Sequence, residues 1–136
     1  EPQNLHRLGK TFHEENQDLF ARNGDGTRNV RMFCYSSPKA LNYLLDGCER
    51  VWDKGGRASW VTSTCVTVSP GDEAVLCSCP DCRKTVAAAG GHWVDGGSLV
   101  MAKFVQRMFE AVKRRWPFMK VIYLPYWNYD TFCPVL

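Results

Sequence analysis

Several features that would assign this chain to a class at once are missing from its sequence. No run approaches eighteen apolar residues, so we expect no membrane span. The opening Glu1-Pro2-Gln3 is unlike a secretory signal peptide, and there is no internal repeat or low-complexity tract. The formal net charge of +3 is too small to indicate nucleic-acid binding by itself.

What the sequence does contain indicates a globular protein. Apolar residues make up 45% of the 136 residues and aromatic residues 12%, which is enough for a hydrophobic core. We therefore predict a single domain over 1–136, with residues 1–28 as a helical N-terminal extension. Seven cysteines is an odd number, which fits a reduced intracellular protein better than a fully disulfide-bonded one.

Three of the cysteines form a Cys-x-Cys-x-x-Cys pattern at Cys77, Cys79 and Cys82. The last two have the spacing of a zinc knuckle, and Pro80 between them favours the tight turn that lets two sulfurs reach one ion. His92 follows after a glycine-rich stretch and could complete a tetrahedral site. The sequence therefore predicts a structural zinc ion on these three cysteines and His92.

Other interpretations of the cysteines remain open. Cys65 could be the fourth ligand instead of His92. The thiols could also be reduced and structural, or paired as disulfides. A second Cys-x-x-Cys, which would strengthen the zinc prediction, is absent from the sequence.

Apolar residues recur at helical intervals in two stretches. Ser36-Ser37-Pro38 predicts a capped start for the first helix, which Gly55-Gly56 ends. Gly96-Gly97-Ser98 predicts the start of a second helix over 98–116, with Ser98 as its cap and Trp116-Pro117 at its end. The N-terminal segment 5–22 has a rougher helical spacing.

The strand signals are shorter. Residues 30–35 predict one strand. Residues 58–68 and 73–77 predict a hairpin that leads into the cysteines, and 121–124 predict a buried strand. The expected fold is α+β: a small mixed or antiparallel sheet, two amphipathic helices and a zinc-knuckle-like cysteine cluster.

The predicted helix 98–116 carries a basic face that could contact phosphates. With the lysine just beyond the helix, the candidate nucleic-acid residues are Lys103, Arg107, Arg114 and Lys120. Basic residues near a helix C-terminus also complement its dipole without any ligand.

Aromatic residues near the C-terminus form a candidate partner-binding surface at Tyr126 and Trp127, because such side chains are enriched in interface hot spots. They are equally typical of a core.

A zinc deaminase is a further alternative, since such enzymes pair His-x-Glu with Pro-Cys-x-x-Cys. His13-Glu14-Glu15 could supply the first motif and 78–82 the second, with Glu15 as the catalytic acid–base. Ser78 stands where the proline is expected.

The segment from Glu73 to Tyr129 resembles the adenovirus early-region-four thirty-four-kilodalton protein family. The resemblance rests on Cys77-x-Cys79, on Ala89-Gly90-Gly91 before an apolar helix, and on Val121-Ile122-Tyr123 leading to Asn128-Tyr129. The family has a further cysteine where this chain has Ala87, and Cys82 would substitute for it.

This resemblance implies a non-enzymatic viral early protein, located in the nucleus and cytoplasm of a host cell. Such proteins bind zinc and join a host cullin ubiquitin ligase, through elongins, to substrates brought by another viral protein. The elongin contact uses a helical Leu-x-x-x-Cys box, which Leu44 and Cys48 match, with Trp52 at the trailing apolar position. An ordinary buried helix stripe would produce the same spacing.

Overall fold

The computed structural model describes residues 5–125, and its fold is α+β as predicted. In chain order the regular elements of this part are α1 (Lys10–Glu15), β1 (Phe20–Arg22), β2 (Arg28–Phe33), α2 (Pro38–Trp52), β3 (Cys65–Thr67), α3 (Pro80–Ala88), α4 (Trp93–Arg115) and β4 (Lys120–Ile122). Short 3-10 turns at Leu5–Arg7 and Gln17–Leu19 flank α1.

The strands form two separate two-stranded sheets. β1 and β2 are an antiparallel pair, in which Phe20 lies opposite Phe33. Their connection is closed by the Asn23 N–H, which donates to the Thr27 carbonyl at 2.8 Å. The prediction of one helix over 5–22 was therefore wrong beyond α1, because the end of that segment pairs as a strand.

The predicted hairpin between 58–68 and 73–77 is also wrong. Only β3 is a strand in this region, and it pairs in parallel with β4. The chain instead folds back within 58–68, where the Thr67 N–H donates to the Trp60 carbonyl at 2.8 Å. The Thr62 hydroxyl accepts hydrogen bonds from the N–H groups of Thr64 and Cys65. Such local hydrogen bonds compete with the backbone hydrogen bonds that a longer strand would make.

The start of α2 is confirmed, since the Ser37 side chain accepts a hydrogen bond from the Lys39 N–H at 3.2 Å. The start of α4 lies before the predicted Ser98, because Gly96 is inside the helix. A Cβ at Gly96 would lie 2.7 Å from the methyl groups of Val86 on α3. This glycine therefore permits close helix packing and does not end the preceding loop.

Across the described residues, no helix has the length and apolar character needed to cross a bilayer.

The core lies between α4, α2 and the β1–β2 hairpin. The most buried residues of α4 are Leu99, Val100, Met101, Phe104, Met108 and Val112. Phe104 makes an edge-to-face contact with Tyr35, with ring centroids 4.9 Å apart. The strand predicted over 121–124 is present as β4, Lys120–Ile122, but it is not buried as predicted, because Ile122 is 39% exposed and Leu124 63% exposed. β4 has a neighbour in β3 and packs mainly through Val121.

Gly47 on α2 provides a test of this packing. A Cβ at Gly47 would lie 2.4 Å from Cζ2 of Trp60, whose indole is buried and stacked on Tyr43. We expect Gly47→Ala to lower the free energy of unfolding by about 1–3 kcal/mol, because the indole must shift. Chemical denaturation measures this, with Gly24→Ala as the control because nothing lies within 4 Å of that position. Equal stability of the two variants would contradict the packing.

Candidate metal centre

Four cysteines from two parts of the chain come together at one end of the β1–β2 hairpin. Cys34 follows β2, Cys77 lies in the segment beside β1, and Cys79 and Cys82 occupy the N-cap and the first turn of α3. All four Sγ atoms lie within 4.8 Å of one another. Cysteine thiolates are soft ligands for metal ions, so this cluster could bind one. We call these four residues the cysteine cluster.

The distances from the Cys34 sulfur to the other three match the edge of a tetrahedron around a metal ion. The Sγ atom of Cys34 lies 3.6 Å from that of Cys79, 3.7 Å from that of Cys77 and 3.9 Å from that of Cys82. A metal–sulfur distance of about 2.3 Å gives a tetrahedral edge of about 3.8 Å. The three distances from Cys34 fall on both sides of this value, and all four sulfurs lie within 4.8 Å of one another, so the cluster is compact enough to enclose one ion.

Backbone and hydroxyl groups hold the sulfurs in position. The Arg22 N–H donates to the Cys77 Sγ at 3.3 Å, and the Cys82 N–H donates to the Cys79 Sγ at 3.4 Å. The Cys82 thiol donates to the Ser36 hydroxyl at 3.1 Å. The Ser78 hydroxyl donates to the carbonyl of Arg22 at 2.8 Å, which ties the cysteine segment to β1. Such outer contacts orient metal ligands before the ion arrives.

The cluster is mostly shielded from solvent. Cys34, Cys77 and Cys82 are buried and Cys79 is partly exposed. Hydrogen bonds from the thiols of Cys34 and Cys82, with the Arg22 N–H, lower the pKa of Cys77. The hydrogen bond with Cys77 raises the pKa of Cys34 to about 12, and bonds with Cys34 and Cys77 raise the pKa of Cys82. Hydrogen bonds from these neighbours therefore favour the thiolate form of Cys77 over that of Cys34 or Cys82.

This arrangement predicts proton release on metal binding. Cys34 and Cys82 keep their protons at neutral pH in the metal-free protein, because the pKa of each is raised. A metal ion must displace both protons, so lower pH opposes binding. These two protons alone should make the apparent zinc affinity rise by at least about 100-fold per pH unit between about pH 6 and pH 8. Competition with a chromogenic chelator measures this, and a pH-independent affinity would contradict it.

The predicted fourth ligand, His92, lies outside the cysteine cluster. Gly90 and Gly91 have positive φ angles of 95° and 87°, and they turn the chain so that His92 is the exposed N-cap of α4. The alternative ligand, Cys65, is on β3, where its Sγ lies 2.9 Å from the Thr62 hydroxyl. Cys34 takes the fourth position instead. No local pattern marked it, because it is 43 residues from Cys77 in sequence.

Two of the residues predicted to bind an elongin-like partner are in the core. Leu44 and Cys48 are both 0% exposed, and burial raises the pKa of the Cys48 thiol to about 12. Trp52 is half-buried, and its ring packs edge-to-face on Trp116 at 5.1 Å. The two aromatic candidates, Tyr126 and Trp127, lie outside the described residues.

The predicted basic residues have different environments. The Arg107 guanidinium donates to the Tyr35 carbonyl at 2.7 Å and lies over the Phe104 ring. Arg114 and Lys120 are exposed, whereas Lys103 is half-buried. Arg107 thus has a packing role that its position in a basic face did not indicate.

The residues of the deaminase alternative do not assemble into its metal site. The Nε2 atom of His13 is 2.9 Å from the Leu5 carbonyl. Among residues 5–125, the group of metal-ligating side chains that meet consists of four cysteines and excludes His13.

Fold and site together define an α+β domain with a largely buried four-cysteine cluster. A family model matches residues 5–135, so the chain belongs to the family described as Domain of unknown function (DUF4838). No curated protein and no solved structure matches the chain. These comparisons bring no link to the adenovirus family, and that resemblance stays a prediction.

Proposed function

We propose that this chain is a non-enzymatic domain that binds other macromolecules and is stabilised by a structural zinc ion on Cys34, Cys77, Cys79 and Cys82. The observation that carries the proposal is the meeting of four cysteine sulfurs within 4.8 Å of one another, with distances of 3.6, 3.7 and 3.9 Å from Cys34.

Zinc is the ion that best fits this donor set. It prefers four-coordinate tetrahedral sites, and four thiolates form one of its common structural sites. Four protein ligands leave no open coordination position for water or a substrate, which is the arrangement of structural sites rather than catalytic ones. Burial of three of the ligands also favours a structural role.

The ion would connect parts of the chain that are distant in sequence. Cys34 is on the connection between β2 and α2, whereas the other three ligands lie 43 to 48 residues later. Joining these segments closes a long loop, and binding that occurs only in the folded state stabilises that state. Removal of the ion should therefore loosen the contact of α3 with the β1–β2 hairpin.

A binding role is supported by large apolar side chains at the surface. Phe118 is 93% exposed and Phe109 48% exposed, and the ammonium of Lys113 lies 5.6 Å from the centre of the Phe109 ring. Aromatic side chains are enriched in protein–protein contacts relative to the rest of the surface. The exposed aromatic residues do not support the more specific proposal that the chain recruits a cullin ubiquitin ligase. Contact with an elongin through Leu44 and Cys48 would require α2 to leave the core, because both side chains are buried.

Elemental analysis of protein purified without chelator tests whether the protein contains bound zinc. We expect about one zinc per chain and a lower melting temperature after treatment with a strong chelator. A Cys65→Ser variant is the matched control, because it removes a thiol outside the cysteine cluster and should keep the ion. An absence of metal, or melting unaffected by chelator, would overturn the proposal, and iron in place of zinc would overturn the choice of ion.

A further inference from the structure

We propose that the cysteine cluster is also a redox switch, in which a peroxide converts Cys34 and Cys79 to a disulfide and the metal ion is released. This inference rests on the proposed function for the metal, while the choice of the two cysteines rests on geometry alone. It concerns the regulation of the same site, not the identity of its ion.

Exposure selects Cys79 as the first thiol to react. It is partly exposed, whereas the other three members of the cysteine cluster are buried. Oxidation of cysteine depends on thiolate character and on access of the oxidant to the sulfur. With the ion bound all four cysteines are thiolates, so access decides which one reacts first. Cys79 is also the N-cap of α3, so its side chain lies at the helix end rather than inside the helix.

Cys34 lies close enough to Cys79 to be its disulfide partner. The two Sγ atoms are 3.6 Å apart, the shortest sulfur–sulfur distance in which Cys34 takes part. A disulfide needs about 2.05 Å, so the sulfurs must approach each other by about 1.5 Å. Cys82 is less free to compete, since its thiol is hydrogen-bonded to the Ser36 hydroxyl.

The chemistry balances with hydrogen peroxide as the oxidant. The Cys79 sulfur attacks one peroxide oxygen, the O–O bond breaks, and the other oxygen leaves as hydroxide and takes up a proton to form water. The Cys34 sulfur then attacks the sulfenic acid on Cys79, forming the S–S bond and releasing the second hydroxide. With the ion bound both sulfurs are thiolates, so the solvent supplies the two protons that convert the hydroxides to water, and two electrons pass from the two sulfurs to the peroxide.

Such a disulfide would release the ion, but it would still link the two parts of the chain that the ion had joined. Only Cys77 and Cys82 would remain as thiol ligands, and two ligands bind zinc far more weakly than four. The covalent bond would still join the β2–α2 connection to the start of α3. The oxidised protein should therefore lose zinc and stay folded.

The test uses zinc-loaded protein in which Cys65 and Cys133, the latter outside the described residues, are both changed to serine. Stoichiometric hydrogen peroxide is added, and released zinc is followed with a chromogenic chelator. Thiol titration and peptide mapping follow after alkylation. We expect one zinc released for every two thiols lost, a crosslinked peptide pair containing Cys34 and Cys79, and recovery of zinc binding after dithiothreitol treatment.

The outcomes separate this inference from the proposed function. A crosslink between a different pair, zinc retained after the thiols are lost, or release through irreversible sulfinic acid would each overturn the switch. If the protein contains no zinc before oxidation, the structural-zinc proposal fails and metal release fails with it. Peptide mapping of that metal-free protein would still decide whether Cys34 and Cys79 pair first.

Discussion

Replacing Cys34 with serine is expected to reduce bound zinc from about one ion per chain to nearly none. The Cys34 sulfur lies 3.6, 3.7 and 3.9 Å from the other three sulfurs of the cysteine cluster. A hydroxyl is a poor substitute for a thiolate toward zinc, and a metal ion that binds only the folded state supports it by several kcal/mol. We therefore expect the melting temperature to fall by about ten degrees or more.

The matched control for this variant is His92→Ala, which removes the ligand that the sequence predicted. His92 is exposed at the start of α4, so its loss should change neither the zinc content nor the melting temperature beyond a degree or two. Elemental analysis and thermal melting of the two variants decide between the two ligand sets. Loss of zinc in His92→Ala with retention in Cys34→Ser would reverse the assignment made from the structure.

Replacing Phe104 with alanine is expected to lower the free energy of unfolding by about 3–5 kcal/mol. Phe104 is 0% exposed on α4, and its ring contacts that of Tyr35 at 4.9 Å. Truncation would leave a cavity where α4 packs beside the end of β2. It would also remove the ring over which the Arg107 guanidinium lies. Chemical denaturation of zinc-loaded protein provides the measurement.

Phe118→Ala makes the same chemical change at the surface and serves as its control. Phe118 is 93% exposed, so we expect its truncation to change the free energy of unfolding by no more than about 0.5 kcal/mol. If both variants lose similar stability, the placement of Phe104 in the core is wrong. The pair also separates the fold from the proposed binding role, because only Phe118→Ala should weaken a partner contact without affecting stability.

The helices were the part of the fold that the sequence predicted best. The cap at Ser37 and the apolar stripe after it mark α2 correctly, because capping and periodicity are local properties. The body of α4 was predicted for the same reason, whereas its start was not. Gly96 looked like a helix boundary, but its role is to let α4 approach Val86, a tertiary contact that local patterns do not contain.

Strands and ligands depend on partners that are distant in the chain, and there the sequence was less informative. The β-branched run 58–68 suggested one long strand, but hydroxyl contacts around Thr62 fold it back on itself. Cys77, Cys79 and Cys82 do come together, since their spacing is short. Cys34 was missed because its approach to them requires the β1–β2 hairpin to be in place.

The parallel pairing of β3 with β4 has a consequence for how this protein folds. These strands are adjacent in space, yet the chain between them, residues 68–119, contains α3 and α4. Bringing such distant strands together costs loop-closure entropy before any contact compensates for it. We therefore expect the β1–β2 hairpin, with its short connection, to form early in folding. The joining of β4 to β3 should come late and limit the rate at which the native state is reached.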